Sequence, residues 1–86
     1  NYRMSNVLAG IGRGQLTVLE DRVRQRQAVF ARYVEALADL PGVRFQAEAP
    51  WGTHSRWLTV FHLGEETAAR ATDVVAALAA EDIEAR

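Results

Sequence analysis

The sequence predicts an α+β fold in which two N-terminal helices, the second one long, pack with a small sheet and a C-terminal helix. Three observations carry this. Apolar residues recur at spacings of three and four from Val7 to Leu40, apolar residues fill both alternating faces of Trp57–Leu63, and helical spacing returns after Gly64. Runs of helix followed by strand and then helix, rather than strict alternation, place the helices on one side of the sheet. At 86 residues the chain is one small domain. Such a chain buries only about 60 to 65% of its unfolded surface, so its core is marginal.

The first helix is expected over residues 6–16, with Ser5 as N-cap and Val7, Leu8, Ile11 and Leu16 as its apolar positions. Gly10, Gly12 and Gly14 each weaken a helix by about 1 kcal/mol relative to alanine. Close packing against another element is the expected compensation. The run Gly10-Ile11-Gly12-Arg13-Gly14 has neither a preceding strand nor the glycine spacing of a nucleotide-binding loop. Thr17-Val18-Leu19-Glu20 reads as a capping box opening the second helix. Its apolar positions Leu19, Val23, Phe30, Tyr33, Leu37 and Leu40 form a seam interrupted at Arg26, and about 23 residues give a rod of roughly 35 Å. That length suggests contact beyond the chain. Arg22, Arg24 and Arg26 are interleaved with acids and read as a solvated face.

Pro41-Gly42 ends the helix. Val43–Phe45 is expected as a short strand, residues 46–55 as a loop, and Trp57–Leu63 as a central strand apolar on both faces. Residues 65–81 return to helix, with Ala71, Val74, Val75 and Leu78 as the buried stripe, and Ile83–Arg86 reads as the start of another strand.

Composition narrows the chemistry. The net charge of −1 supplies no general attraction to nucleic acid or an anionic membrane. The absence of cysteine excludes a disulfide framework and a thiolate zinc site, and no metal-ligating cluster is expected. No run approaches the roughly 18 apolar residues of a membrane span, so the expectation is a soluble, cytoplasmic protein. All ten positive side chains are arginine. Without lysine, no residue of this chain forms an imine, and a reaction needing one borrows its amine from elsewhere.

The stretch NYRMSNVLAGIGRGQLTVLEDRVRQR resembles the pattern N-x-R-M-(S/T)-(N/E)-x-x-A-A-I-G-x-x-Q-L-x-x-L of DegT/DnrJ/StrS-type aminotransferases, pyridoxal phosphate (PLP) enzymes that aminate nucleotide-linked keto sugars. ARYVEALADLPGVRF resembles the second helix of their C-terminal domain and its exit, HSRWLTVFHL the central strand, and AAEDIEAR the segment L-x-x-x-G-I-x-x-R. The likeness spans essentially the whole chain.

The resemblance implies the small C-terminal domain of a fold-type I PLP aminotransferase, residues 1–86 forming one domain fragment cut at both ends. The imine-forming lysine would then lie upstream, and the fragment alone would be inactive and hold no cofactor. The parent enzyme would be a homodimer that takes nitrogen from an amino donor, glutamate, and passes it to a keto sugar for lipopolysaccharide, surface polysaccharide or antibiotic-sugar biosynthesis. The resemblance implies no catalytic residue in this chain. It places Asn1 on the PLP phosphate of the partner subunit, and Arg3 and His54 on the substrate. For Arg3 a structural salt bridge is the competing role, and for His54 a solvent-facing loop position. Met4 reads as packing, and Tyr2 as either a dimer-seam or a surface ring. Arg56 and Thr59 stand where relatives often carry aromatics, Gly10 and Gly14 replace alanine and small apolar residues, and Asp82 stands where glycine is usual. A dehydratase on the same fold is an open variant. The competing reading is a stand-alone helical dimerisation module without catalytic activity.

Overall fold

The computed structural model describes residues 2–86; the role assigned to Asn1 lies outside the described residues. The order is α1 (Asn6–Leu16), α2 (Leu19–Ala36), β1 (Val43–Phe45), β2 (Phe61–Leu63) and α3 (Ala71–Ala80). This is the α+β arrangement expected.

Ser5 caps α1 as predicted: its backbone is extended and its hydroxyl accepts the Leu8 N–H at 3.2 Å. Thr17 does not open α2. Its backbone is helical (φ −66°, ψ −21°), which excludes an N-cap, and its hydroxyl donates back to the Gly14 carbonyl at 2.7 Å. Val18 takes the N-cap position with no side-chain bond, and Glu20 and Asp21 supply the negative charge that suits a first turn. The helix is also shorter than predicted, 18 residues or about 27 Å. Beyond Ala36 the chain tightens into i→i+3 bonds, Leu40 N–H to Leu37 at 3.2 Å and Val43 N–H to Leu40 at 3.4 Å. Pro41 explains this, because it disfavours helical backbone at Leu40.

β1 and β2 form a two-stranded antiparallel sheet with Val43 opposite Leu63, Arg44 opposite His62, and Phe45 opposite Phe61. The expected central strand over 57–63 is therefore three regular residues at a sheet edge. Backbone bonds continue the pairing one step each way, Gln46 N–H to Val60 and Gly64 N–H to Gly42, and then Arg56 (φ 54°) turns the chain out of extended geometry. Leu58 and Val60 are correspondingly exposed.

The inward face of the hairpin meets α2 through aromatic rings. Phe30 packs edge-on to Phe45 with centroids 5.5 Å apart, and Phe45 packs on Phe61 at 5.9 Å. Along α2 and the turn that follows it, Val23, Gln27, Phe30 and Leu37 are half-buried, whereas the other seam positions Leu19, Tyr33 and Leu40 are exposed. On α3, Val74, Val75 and Leu78 are half-buried as expected, and Ala71 is exposed.

α3 starts six residues later than the sequence suggests. Thr67 closes a turn by donating to the Gly64 carbonyl at 2.8 Å, and Arg70 is extended, with the Asp73 carboxylate accepting its N–H at 3.0 Å. After α3 the chain forms a helix-ending motif rather than a strand: Asp82 is left-handed (φ 59°), its N–H meets Ala79, and the Ile83 N–H meets Leu78 at 2.9 Å.

Among the described residues none is fully buried. The radius of gyration is 17.7 Å, against about 12 Å for a compact chain of this length. Around Gly10, Gly12 and Gly14 an added Cβ would meet nothing within 4 Å, so the close packing expected at these glycines is not made among the described residues.

Candidate functional site

The loop after β1 carries the most concentrated polar chemistry. His54 is held at three points. Its N–H donates to Glu48 Oε2 at 3.1 Å, its carbonyl accepts from Gln27 Nε2 on α2 at 3.1 Å, and its Nδ1 accepts the Arg56 N–H at 2.8 Å. With Nδ1 as acceptor, the ring's own N–H lies on Nε2. Among the described residues Nε2 has no hydrogen-bond partner, so it is a donor available to a ligand. Glu48, Trp51, Gly52, Thr53 and His54 wall a shallow concavity of about 180 Å³.

Arg56 anchors the arrangement from below. Its side chain is only 10% exposed, and the guanidinium carbon lies 3.9 Å from the centroid of the Phe30 ring. One nitrogen donates to the Gln46 carbonyl at 2.9 Å and another faces Glu48 Oε2 at 3.6 Å. The same carboxylate oxygen thus takes the His54 N–H and balances the Arg56 charge. Stacking and a fork of donors suit arginine and not lysine.

Arg56 also borders a larger open groove of about 1150 Å³ between α2, β2 and α3, whose wall includes Arg26, Trp57, His62, Arg70 and Arg86. Arg70 is turned toward Asp73, with guanidinium-carboxylate distances of 3.3 Å. This bond, together with the backbone N–H of Arg70, holds the Asp73 carboxyl below its ordinary value. Glu66 is likewise lowered, first by a backbone hydrogen bond and then by Arg44, which it meets at 2.7 Å.

Of the residues singled out in the sequence, His54 sits in this network. Arg3 is exposed and borders neither concavity. Tyr2 and Met4 are exposed, so the packing role expected of Met4 is not seen among the described residues. Sequence reasoning missed the supporting set Gln27, Glu48 and Arg56. The signal for Arg56 was its departure from the family's usual aromatic, while Gln27 carried none, because only the fold brings it 27 positions along to the loop. Among the described residues no group of three or more His, Asp or Glu is placed to hold a metal ion.

Residues 1–86 match the profile of the DegT/DnrJ/EryC1/StrS aminotransferase family. The chain is 49% identical over all 86 residues to EpsN of Bacillus subtilis (strain 168), assigned as a pyridoxal phosphate-dependent aminotransferase, and covers 22% of it. It is 33% identical to the GDP-perosamine synthase of Vibrio cholerae and 34% identical to that of Caulobacter vibrioides, covering 23% and 24% of them. The chain thus spans under a quarter of these relatives' length. No solved structure matches it at a significant level. The family profile spans the chain from residue 1 to residue 86, and the chain belongs to the DegT/DnrJ/EryC1/StrS aminotransferase family.

Proposed function

We propose that the chain is the small C-terminal domain of a cytoplasmic, homodimeric PLP-dependent nucleotide-sugar aminotransferase, in which it supplies substrate-side and cross-subunit contacts. The observation that carries this is the 49% identity to EpsN over every residue of the chain. The names of the GDP-perosamine synthases favour a nucleotide-linked sugar as amine acceptor, with glutamate as donor.

The residues present do not fit the whole cofactor. The chain has no lysine, so it holds no amine for the cofactor's aldehyde, and no step through that group is derived from it. What the chain does contribute is orientation. His54 offers an Nε2 donor beside a concavity whose wall includes Trp51, a pairing suited to a sugar: a hydrogen bond to a hydroxyl and an aromatic face against the ring. Arg3 is an exposed guanidinium, free to meet a diphosphate bidentately. Asn1 would reach the PLP phosphate of the partner subunit.

The test is a two-stage assay of the intact protein. Purified protein with PLP and glutamate should release 2-oxoglutarate in stoichiometric amount, and added GDP- or UDP-linked keto sugar should then accept the nitrogen. Arg3→Ala and His54→Ala are expected to raise KM for the sugar about tenfold while leaving the glutamate stage unchanged, the pattern of lost substrate binding. Release of water from the sugar without amine transfer would assign a dehydratase instead. No turnover of any nucleotide sugar would overturn the reading.

A further inference from the structure

We infer that Arg56 is a positioning residue, whose guanidinium clamps the backbone so that its own N–H fixes the His54 imidazole with Nδ1 as acceptor and Nε2 as donor. The inference rests on the reading of His54 as a substrate contact, and it gives a role to a residue that the sequence marked only as a departure from the family's usual aromatic.

The geometry makes one connected device. At φ 54° the Arg56 backbone is left-handed, a conformation that a long unbranched side chain adopts only when its surroundings impose it. Here they do. The guanidinium is held on one face by Phe30 at 3.9 Å, at one nitrogen by the Gln46 carbonyl at 2.9 Å, and at another by Glu48 at 3.6 Å. Phe30 belongs to the aromatic cluster joining α2 to the hairpin, so the anchor is tied to the best-packed part of the fold. The left-handed turn aims the Arg56 N–H back at Nδ1 two residues earlier, at 2.8 Å. Glu48 and Gln27 hold the two main-chain groups of His54 itself, leaving the ring's rotation and tautomer as the freedom that Arg56 removes. A ring left free would present an N–H or a lone pair to the ligand interchangeably. A substrate hydroxyl or phosphate oxygen needs one of these consistently.

The test uses the intact, cofactor-loaded protein with ¹⁵N-labelled histidine, the His54 signal being assigned by its loss in His54→Ala. In the parent protein the ring shows the Nε2–H pattern. In Arg56→Ala the backbone relaxes to negative φ, the ring becomes a mixture of tautomers, and kcat/KM for the keto sugar falls about tenfold to a hundredfold, while the glutamate stage is unchanged. Arg56→Gly, which accepts the left-handed backbone without the clamp, recovers part of the Nε2–H pattern. If Arg56→Ala does not fold, Arg56→Lys carries the test, since it keeps the charge but loses the stacking face and the fork. An unaltered His54 signal in the folded variant overturns the inference. The two readings fail separately: if His54→Ala leaves sugar kinetics intact while Arg56→Ala still scrambles the tautomer, positioning stands and the substrate role of His54 falls.

Discussion

Asp82 occupies the left-handed position that ends α3, where it completes the two reverse bonds from residues 82 and 83 to Ala79 and Leu78. Glycine is the usual occupant of such a position because it has no Cβ to collide with the following carbonyl, whereas an aspartate bears part of a cost of about 1 kcal/mol. Asp82→Gly should therefore stabilise the chain by roughly 0.5 to 1 kcal/mol, read as a rise in melting temperature; unchanged or lower stability would contradict the strain argument. Gly42 presents the opposite case. At φ 77°, with Thr67 Cγ2 2.7 Å from where a Cβ would stand, Gly42→Ala should cost about 2 kcal/mol in denaturant unfolding. Two carboxylates give the pH dependence. Asp73 and Glu66 both have folded-state values below their ordinary 3.8 and 4.5, so each supports folding above those values and withdraws that support as pH falls through the lowered ones. Acid titration of stability should lose a step below about pH 4.5. That step should shrink in a variant carrying Asp73→Asn and Glu66→Gln. A variant with the full acid slope would place the relevant carboxylates elsewhere.

At the scale of elements, the aromatic relay from Phe30 through Phe45 to Phe61 is the joint between α2 and the hairpin. Phe45 is its middle ring, half-buried, with a neighbour on either side. Phe45→Ala should cost about 2 to 3 kcal/mol, less than a fully enclosed ring, and Phe45→Leu clearly less; a loss under 0.5 kcal/mol in Phe45→Ala would show that the joint lies elsewhere. The elements themselves were legible wherever a local rule acts alone. Ser5 capping α1 and the span Asn6–Leu16 follow from a side-chain acceptor and a 3.6-residue period, and both are observed. Legibility failed where two rules compete. Thr17 could have opened α2, but it also lies within reach of the Gly14 carbonyl and goes there instead. The alternation over Trp57–Leu63 described a strand, yet Arg56 is drawn onto Phe30 and turns the chain, an attraction across 26 positions that periodicity does not encode. For the same reason the sequence pointed to His54 through family likeness but not to the Gln27 and Glu48 side chains and the Arg56 N–H that hold it.

The surface of the whole molecule is larger than its mass accounts for. Its 7842 Å² exceeds by about 2,800 Å² what a compact 9.5-kDa protein exposes. Exposed apolar side chains contribute to it: Val7, Leu8, Ile11 and Leu16 on α1 stand between 58% and 72% exposed, and Trp57, Leu58 and Ile83 line an open groove. Apolar side chains exposed together along one helix stripe mark an interaction surface. A stable interface takes roughly 800 Å² from each partner, so the excess is ample for one. In solution by itself, the 86-residue chain should cover this surface by self-association. Sedimentation at micromolar concentration should show a dimer or larger species, through α1 faces or through the open edges of the hairpin. Ile11→Glu, on the exposed stripe of α1 and away from the aromatic relay, should shift that distribution toward monomer without lowering helix content. A compact monomer with no concentration dependence would mean that the apolar surface of α1 folds back onto the chain, and the extended arrangement described here would be wrong.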